Sequence, residues 1–169
     1  DLKQEANAGE ALMSAAFFAW LYGDEQRLRD WIARIEATRA VAGSSFFLDC
    51  VRGDRDFPAE SQETPQVRAY GYTIAAASAG DAGAARWYAR RALAEGERTG
   101  RAFFGALGEV ALALLGAGDA AEAFARARAA ANRVASPELR RAVRTVAAGE
   151  EDAGMLRVFC ERFARKRRG

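Results

Sequence analysis

The sequence predicts an all-α chain of stacked antiparallel helix pairs, and three observations predict it. First, apolar stretches end in a Gly-Asp pair at Gly23-Asp24, Gly53-Asp54, Gly80-Asp81 and Gly118-Asp119, with Gly149-Glu150 as a weaker fifth. A glycine just past a helix end takes the left-handed conformation that closes the helix, and an aspartate beside it accepts from the free N–H groups of the next one. The intervals of 30, 27, 38 and 31 residues are those of a recurring helical hairpin. Second, apolar residues between the pairs recur every three or four positions, and no segment alternates long enough for a strand. Third, the 169 residues hold only three prolines and abundant alanine, a helix-forming composition.

Eight full helices and one short one follow in order. In the first, Gly9, Met13, Ala16, Phe17 and Trp20 form a stripe, and Leu12, Phe18 and Leu21 widen it, so the helix is expected to be largely covered. After Asp24, Leu28, Trp31, Ile32 and Ile35 make an amphipathic helix expected to end near Gly43. Residues 44–63 are irregular: Phe46, Phe47, Leu48 and Val51 suit a short helix before Gly53, and 57–63 reads as loop. Thr64-Pro65 restarts a helix with a cap and a first-turn proline. Val67, Tyr70, Gly71, Ile74, Ala75 and Ser78 mark its face. The helix over 81–98 turns Ala85, Tyr88, Ala89 and Ala92 inward. The stretch 101–117 is apolar nearly all round, apart from Glu109, and suits an inner helix. Over 119–135 the stripe is Ala120, Ala123, Phe124, Ala127, Ala130, Ala131 and Val134, with Glu122 and Arg126 paired at i,i+4 outside it. Ser136-Pro137 repeats the cap-and-proline start, and residues 137–168 form a terminal capping hairpin with stripes Leu139, Ala142, Val143, Val146, Ala147 and Leu156, Phe159, Cys160, Phe163. The whole chain, 1–169, reads as one domain.

Composition narrows the class of function. Half the residues are apolar and 28% are charged, which fits a folded rather than a disordered chain. No apolar run is long enough to span a bilayer. The start carries neither an initiator Met nor a signal-like pattern, so the chain is expected to be a piece of a longer one. Cys50 and Cys160 lie far apart, without metal-type spacing, and suit free buried thiols in a reduced, cytoplasmic chain. Net charge is +2, with 137–169 at +4 and the remainder at −2. The basic tail over 162–168 is read mainly as solvated charge favourable at a helix C-terminus.

These features resemble the tetratricopeptide repeat family. Residues 107–137 carry the resemblance best: Leu107, Val110, Ala111 and Leu114 sit at first-helix positions, and Ala123 and Ala130 at the second-helix alanines. The run 118–123 resembles that family's inter-helix turn. The unit over 69–98 matches at Ala85 and Ala92 but has Thr73 at the small first-helix position. Leu28 and Ile35 replace alanines in the first unit, and Ala89 and Ala127 stand where an aromatic is usual. The resemblance implies a right-handed α-solenoid. It also implies a sensor or interaction domain of a bacterial transcription regulator, or a secretion or assembly scaffold.

Catalysis is not expected. The chain has no histidine, which removes Ser-His and Cys-His pairs, histidine metal sites and the commonest general base. No phosphate-binding glycine loop is present. The acidic groups Asp49, Asp54, Asp56 and Glu150-Glu151-Asp152 read as helix-start and loop charges, so no cofactor or metal is expected. By the resemblance, first helices line a concave groove, here Met13, Phe17 and Trp20, then Phe47 and Cys50, then Val67, Tyr70 and Ile74, then Gly105, Gly108, Leu112 and Leu115. Phe17, Trp20 and Tyr70 are the preferred contacts for a protein or peptide. Such an apolar surface has three readings: it takes an amphipathic helix or apolar peptide, it is closed by self-association or by further chain, or it is core. Gly105 and Gly108 admit either a ligand backbone or a neighbouring helix. The alternative function is nucleic-acid association through Arg140, Arg141, Arg144 and the basic tail.

Overall fold

The computed structural model describes residues 2–38, 44–53 and 64–167. Over these the chain is all-helical, with α1 (Leu2–Tyr22), α2 (Glu25–Ala37), α3 (Ser44–Arg52), α4 (Pro65–Ser78), α5 (Ala82–Arg98), α6 (Ala102–Leu114), α7 (Ala120–Asn132), α8 (Pro137–Ala147) and α9 (Arg157–Arg167). None of the described helices is long and apolar enough to cross a membrane. The short helix expected before Gly53 is α3. Asp54, Asp56, Gly43 and the loop over 57–63 lie outside the described residues.

The helix ends show which part of each Gly-Asp pair acts. Asp24, Asp81 and Asp119 all cap the following helix, accepting from Arg27 N–H at 3.1 Å, Ala84 N–H at 2.8 Å, and Ala121 and Glu122 N–H at 2.8 and 3.2 Å. Gly23 has φ 73° and closes α1, with Asp24 N–H donating back to the Ala19 carbonyl at 2.9 Å. Gly80 does not take a positive φ, so the left-handed turn expected there is absent and α4 simply runs out into extended backbone at Ala79. α6 is closed two residues earlier than its Gly-Asp pair, at Gly116 (φ 63°), where Ala117 N–H donates to the Leu112 carbonyl at 3.0 Å. Gly149 closes α8 (φ 77°), but Glu150 caps nothing next to it, since α9 starts at Arg157. Its lead-in is instead held by Asp152, which accepts from Leu156 N–H at 2.7 Å. Thr64 and Ser136 cap α4 and α8 ahead of their prolines, as their sequence predicts.

Consecutive helices pack from α3 through α8, and α1 packs on α2. α9 breaks the order. Expected to pair with α8 in a terminal hairpin, it instead packs chiefly against α6, α1 and α4. The cause is its apolar face: Leu156, Phe159 and Phe163 are fully buried, and each such side chain contributes about 1.5–3 kcal/mol when removed from water. Phe159 meets Trp20 edge-on at 6.4 Å and Phe163 at 4.8 Å. The Arg162 guanidinium lies 4.2 Å over the Trp20 ring and donates to the Trp20 carbonyl at 3.3 Å. Lys166 donates to the Ala79 carbonyl at the end of α4. So α1, α4 and α6 share α9 as a common neighbour, and α1 also touches α4 and α3.

Glycine sets the approach of α5 and α6. A Cβ on Gly108 would meet Leu93 Cβ at 3.1 Å, and one on Gly96 would meet Phe104 Cβ at 3.0 Å and Gly105 N at 3.1 Å. Gly108 therefore serves helix–helix contact. Arg86 ties the same pair of helices, its Nη2 donating to the Leu115 carbonyl at 2.8 Å.

Candidate functional site

The structure buries every apolar side chain that the sequence nominates for contact with a protein or peptide. Met13, Phe17, Trp20, Phe47, Tyr70, Ile74, Leu112 and Leu115 are each less than a tenth exposed. Cys50 and Val67, on the same expected surface, are buried as well. Phe17 is the hub of the cluster, with ring centroids of Trp20, Tyr70 and Phe104 at 5.6, 5.0 and 5.7 Å. The first-helix faces that were expected to form an open groove thus meet one another and α9. Of the three readings of that apolar surface, these positions match core.

An open groove exists elsewhere, between α1, the C-terminal end of α5, the start of α6 and the end of α7. Its volume is about 920 Å³, within the range of ligand clefts. Gly100 shapes it. With φ 66°, it ends α5 and turns the chain at once into α6, Arg101 N–H donating to the Gly96 carbonyl at 2.9 Å. The end of α5 is anchored by buried Glu95, which accepts from Arg68 Nε at 3.0 Å and from Arg98 Nη1 at 3.3 Å. Phe18 and Phe103 form an aromatic wall, tilted with centroids 5.5 Å apart, and Phe18 is more than a third exposed. Leu93 and Val134 add apolar surface, and Tyr70 forms part of the floor. Of the residues nominated from sequence, Tyr70 and Gly105 reach this groove.

The polar groups are few and asymmetric. Glu109, the single charged residue of α6, is buried at 6% exposure and lines the groove. Its Oε1 accepts from Arg126 Nε of α7 at 2.7 Å, while its Oε2 has no hydrogen-bond partner. Arg126 is half-exposed and also bonds Glu122 Oε1 through Nη1 at 3.0 Å. The hydrogen bond to Glu109 raises the Arg126 guanidinium above its ordinary value. Arg101, Arg133 and the carboxylate of Glu97 also line the groove, all three exposed. Arg101 pairs with Glu10 at 3.1 Å, and no described carboxylate pairs with Arg133. Because α6 and α7 are antiparallel, the pair Glu109–Arg126 and the pair Arg101–Arg133 mark opposite ends of one trough.

Sequence reasoning missed Phe18, Phe103, Glu109 and Arg133. One signal was available: a lone carboxylate in an otherwise apolar inner helix must find a cation on a neighbouring helix. Elsewhere the chemistry is quiet. Burial pushes the Cys50 thiol well up and the Cys160 thiol up to about 12, so both are poor nucleophiles. Among the described residues no group of three or more Cys, Asp or Glu side chains is placed to hold a metal ion. The expected basic face is partly consumed: Arg162 and Lys166 bond inward, and Arg140 Nη1 donates to the Val134 carbonyl at 3.4 Å. No family model, curated protein or solved structure matches this chain.

Proposed function

We propose that this chain is a non-catalytic interaction module of tetratricopeptide type, a right-handed solenoid of helix pairs that binds a protein or peptide segment in the groove between α1, α5, α6 and α7. The observation that supports this reading is the groove itself: a mostly apolar, aromatic-walled trough with a few charged side chains along it. Mostly apolar walls with a few placed polar groups are the usual make-up of a binding cleft. A role inside a larger bacterial regulator or assembly, in the cytoplasm, accords with the repeat-like sequence. The sequence's lack of histidine is the ground for reading binding rather than catalysis.

The test is capture of peptides by the immobilised protein from a random hexapeptide pool, read by mass spectrometry. The control is Ala129→Trp. Ala129 lies on α7, is exposed and lines the groove, so a large side chain there fills the trough without entering the core. Enrichment of specific peptides by the wild type, lost in Ala129→Trp at unchanged Tm, is the expected result. Equal capture by both proteins, or none by either, rules the groove out.

A further inference from the structure

We infer that a second cavity, between α9 and the α4–α5 corner, binds the phosphate group of a small phosphate monoester through Arg162, Arg165 and Lys166. This site is separate from the peptide groove and does not rest on the function proposed for it. The cavity has a volume of about 540 Å³. Small residues of the α4–α5 corner, among them Ala77, Ala79 and Ala82, wall one side, and the three cations wall the other. Positions 162, 165 and 166 stand at i, i+3 and i+4, so a single face of α9 carries all three. Burial of Phe159 and Phe163 fixes how that face is turned. Arg162 and Lys166 are half-buried and Arg165 is exposed.

The charges around the cavity do not balance. No described carboxylate lies within ion-pair distance of Arg162, Arg165 or Lys166. Glu161, the helical neighbour that could pair with Arg165, is bonded to Arg157 at 3.0 Å. Glu25 acts on Arg162 only at longer range. Asp81 also lines the cavity, and its Oδ1 is engaged in capping α5, accepting from Ala84 N–H at 2.8 Å. The lining thus holds three cations against one carboxylate. The end of α4 and the start of α5 meet here with opposite dipoles, so the side chains set the sign. Arg162 has lost water by burial and feels the like charge of Arg165, and both effects hold its guanidinium below its ordinary value. Arg162 uses one N–H on the Trp20 carbonyl and Lys166 one on the Ala79 carbonyl, and each retains further donors. An anion in the cavity gains charge-assisted bonds from them and offsets the repulsion between the two guanidiniums.

The excess of positive charge matches a dianion, which a phosphate monoester supplies near neutral pH. The alanine wall leaves room for a small organic group beside the phosphate. A duplex backbone fits less well. Its phosphates are singly charged and lie along a convex surface, whereas Arg162 and Lys166 are drawn inward to the Trp20 and Ala79 carbonyls.

The probes are phenyl phosphate, inorganic phosphate and benzenesulfonate, titrated calorimetrically into the protein at pH 7.5 and fixed ionic strength. The wild type is expected to bind phenyl phosphate about tenfold or more tightly than benzenesulfonate, which has the same ring and a single charge. It is expected to bind inorganic phosphate more weakly than the ester. Arg165→Ala, an exposed change, is expected to weaken phenyl phosphate binding about tenfold or more. Asp81→Asn keeps a capping oxygen for α5 and removes a negative charge, so it is expected to tighten binding; circular dichroism confirms that it folds, and if it does not, Arg165→Ala decides alone. Arg128→Ala removes an exposed cation of α7 outside the cavity and is expected to change nothing. No binding of phenyl phosphate, or an equal loss in Arg128→Ala and Arg165→Ala, overturns the inference. Equal affinity for inorganic phosphate overturns the monoester assignment in favour of the free ion. Binding of a DNA duplex that Arg165→Ala removes and saturating phenyl phosphate fails to displace overturns it in favour of nucleic acid. Peptide capture and its loss in Ala129→Trp are read separately, so the groove stands or falls on its own.

Discussion

At the residue scale, a few side chains and a few missing side chains set the geometry. Gly96 and Gly105 lie close to one another at the α5–α6 corner yet carry opposite constraints. A Cβ on Gly96 collides with Phe104 Cβ and the Gly105 backbone, whereas one on Gly105 finds its nearest neighbour, Ala130 Cβ, at 3.7 Å. Gly96→Ala is therefore expected to destabilise by about 1–3 kcal/mol. Gly105→Ala is expected to be neutral or to stabilise by up to about 1 kcal/mol, because alanine favours helix. Urea titration of the two variants checks the contrast. Cys160 gives a pH-dependent counterpart. Burial raises its thiol from 9.0 to about 12, so the folded protein prefers the neutral form. The contribution is fully present below about pH 9 and is lost as pH rises toward 12. The Tm difference between wild type and Cys160→Ala should accordingly shift against the wild type from pH 8 to pH 11; Lys166, whose ammonium is lowered by burial, acts in both proteins and cancels. A difference constant across that range contradicts the burial argument.

At the scale of the element, helix starts were more legible than helix stops. Asp24, Thr64, Asp81, Asp119 and Ser136 all act as caps, because capping is a local matter between a side chain and the N–H groups two or three residues on. The stops were less so. In the run 116–118 two glycines compete, and the closure of α6 falls at Gly116, while Gly80 precedes a cap without a left-handed turn. Gly116→Ala should cost about 1–2 kcal/mol from forcing a side chain into left-handed backbone, and Gly80→Ala, with open space around it, should stay within about 0.5 kcal/mol. Thermal melts of the pair measure this directly. The stripes of α4, α5 and α7 were legible as buried faces, since the helical period decides them. The partner of each face was not. Nothing local to α9 says that Phe159 and Phe163 turn toward α1, α4 and α6 rather than toward α8. Likewise Arg126 was legible as the i,i+4 partner of Glu122, but its shorter bond to Glu109 belongs to the packing of α6 on α7.

At the scale of the whole molecule, α9 joins the end of the chain to its beginning, and this decides which surfaces remain for a partner. The aromatic residues nominated from sequence are enclosed around Phe17, and the open trough lies on another side, where α1 meets the α5–α6 corner and α7. Arg162 is a joint in that closure rather than part of a free basic tail. Arg162→Ala removes both its stacking over Trp20 and its bond to the Trp20 carbonyl, with an expected loss of about 1–2 kcal/mol. If stability is unchanged and only salt-sensitive binding to a DNA duplex falls, the tail serves nucleic acid instead. The central claim is that the partner lies in the groove between α1, α5, α6 and α7. The most direct measurement is amide hydrogen exchange on the wild-type protein with and without a peptide captured from the random pool. The account predicts added protection at 96–105 and 126–134 and no change along α9. Protection confined to α4 and α9, or to the face around exposed Trp87, would contradict it.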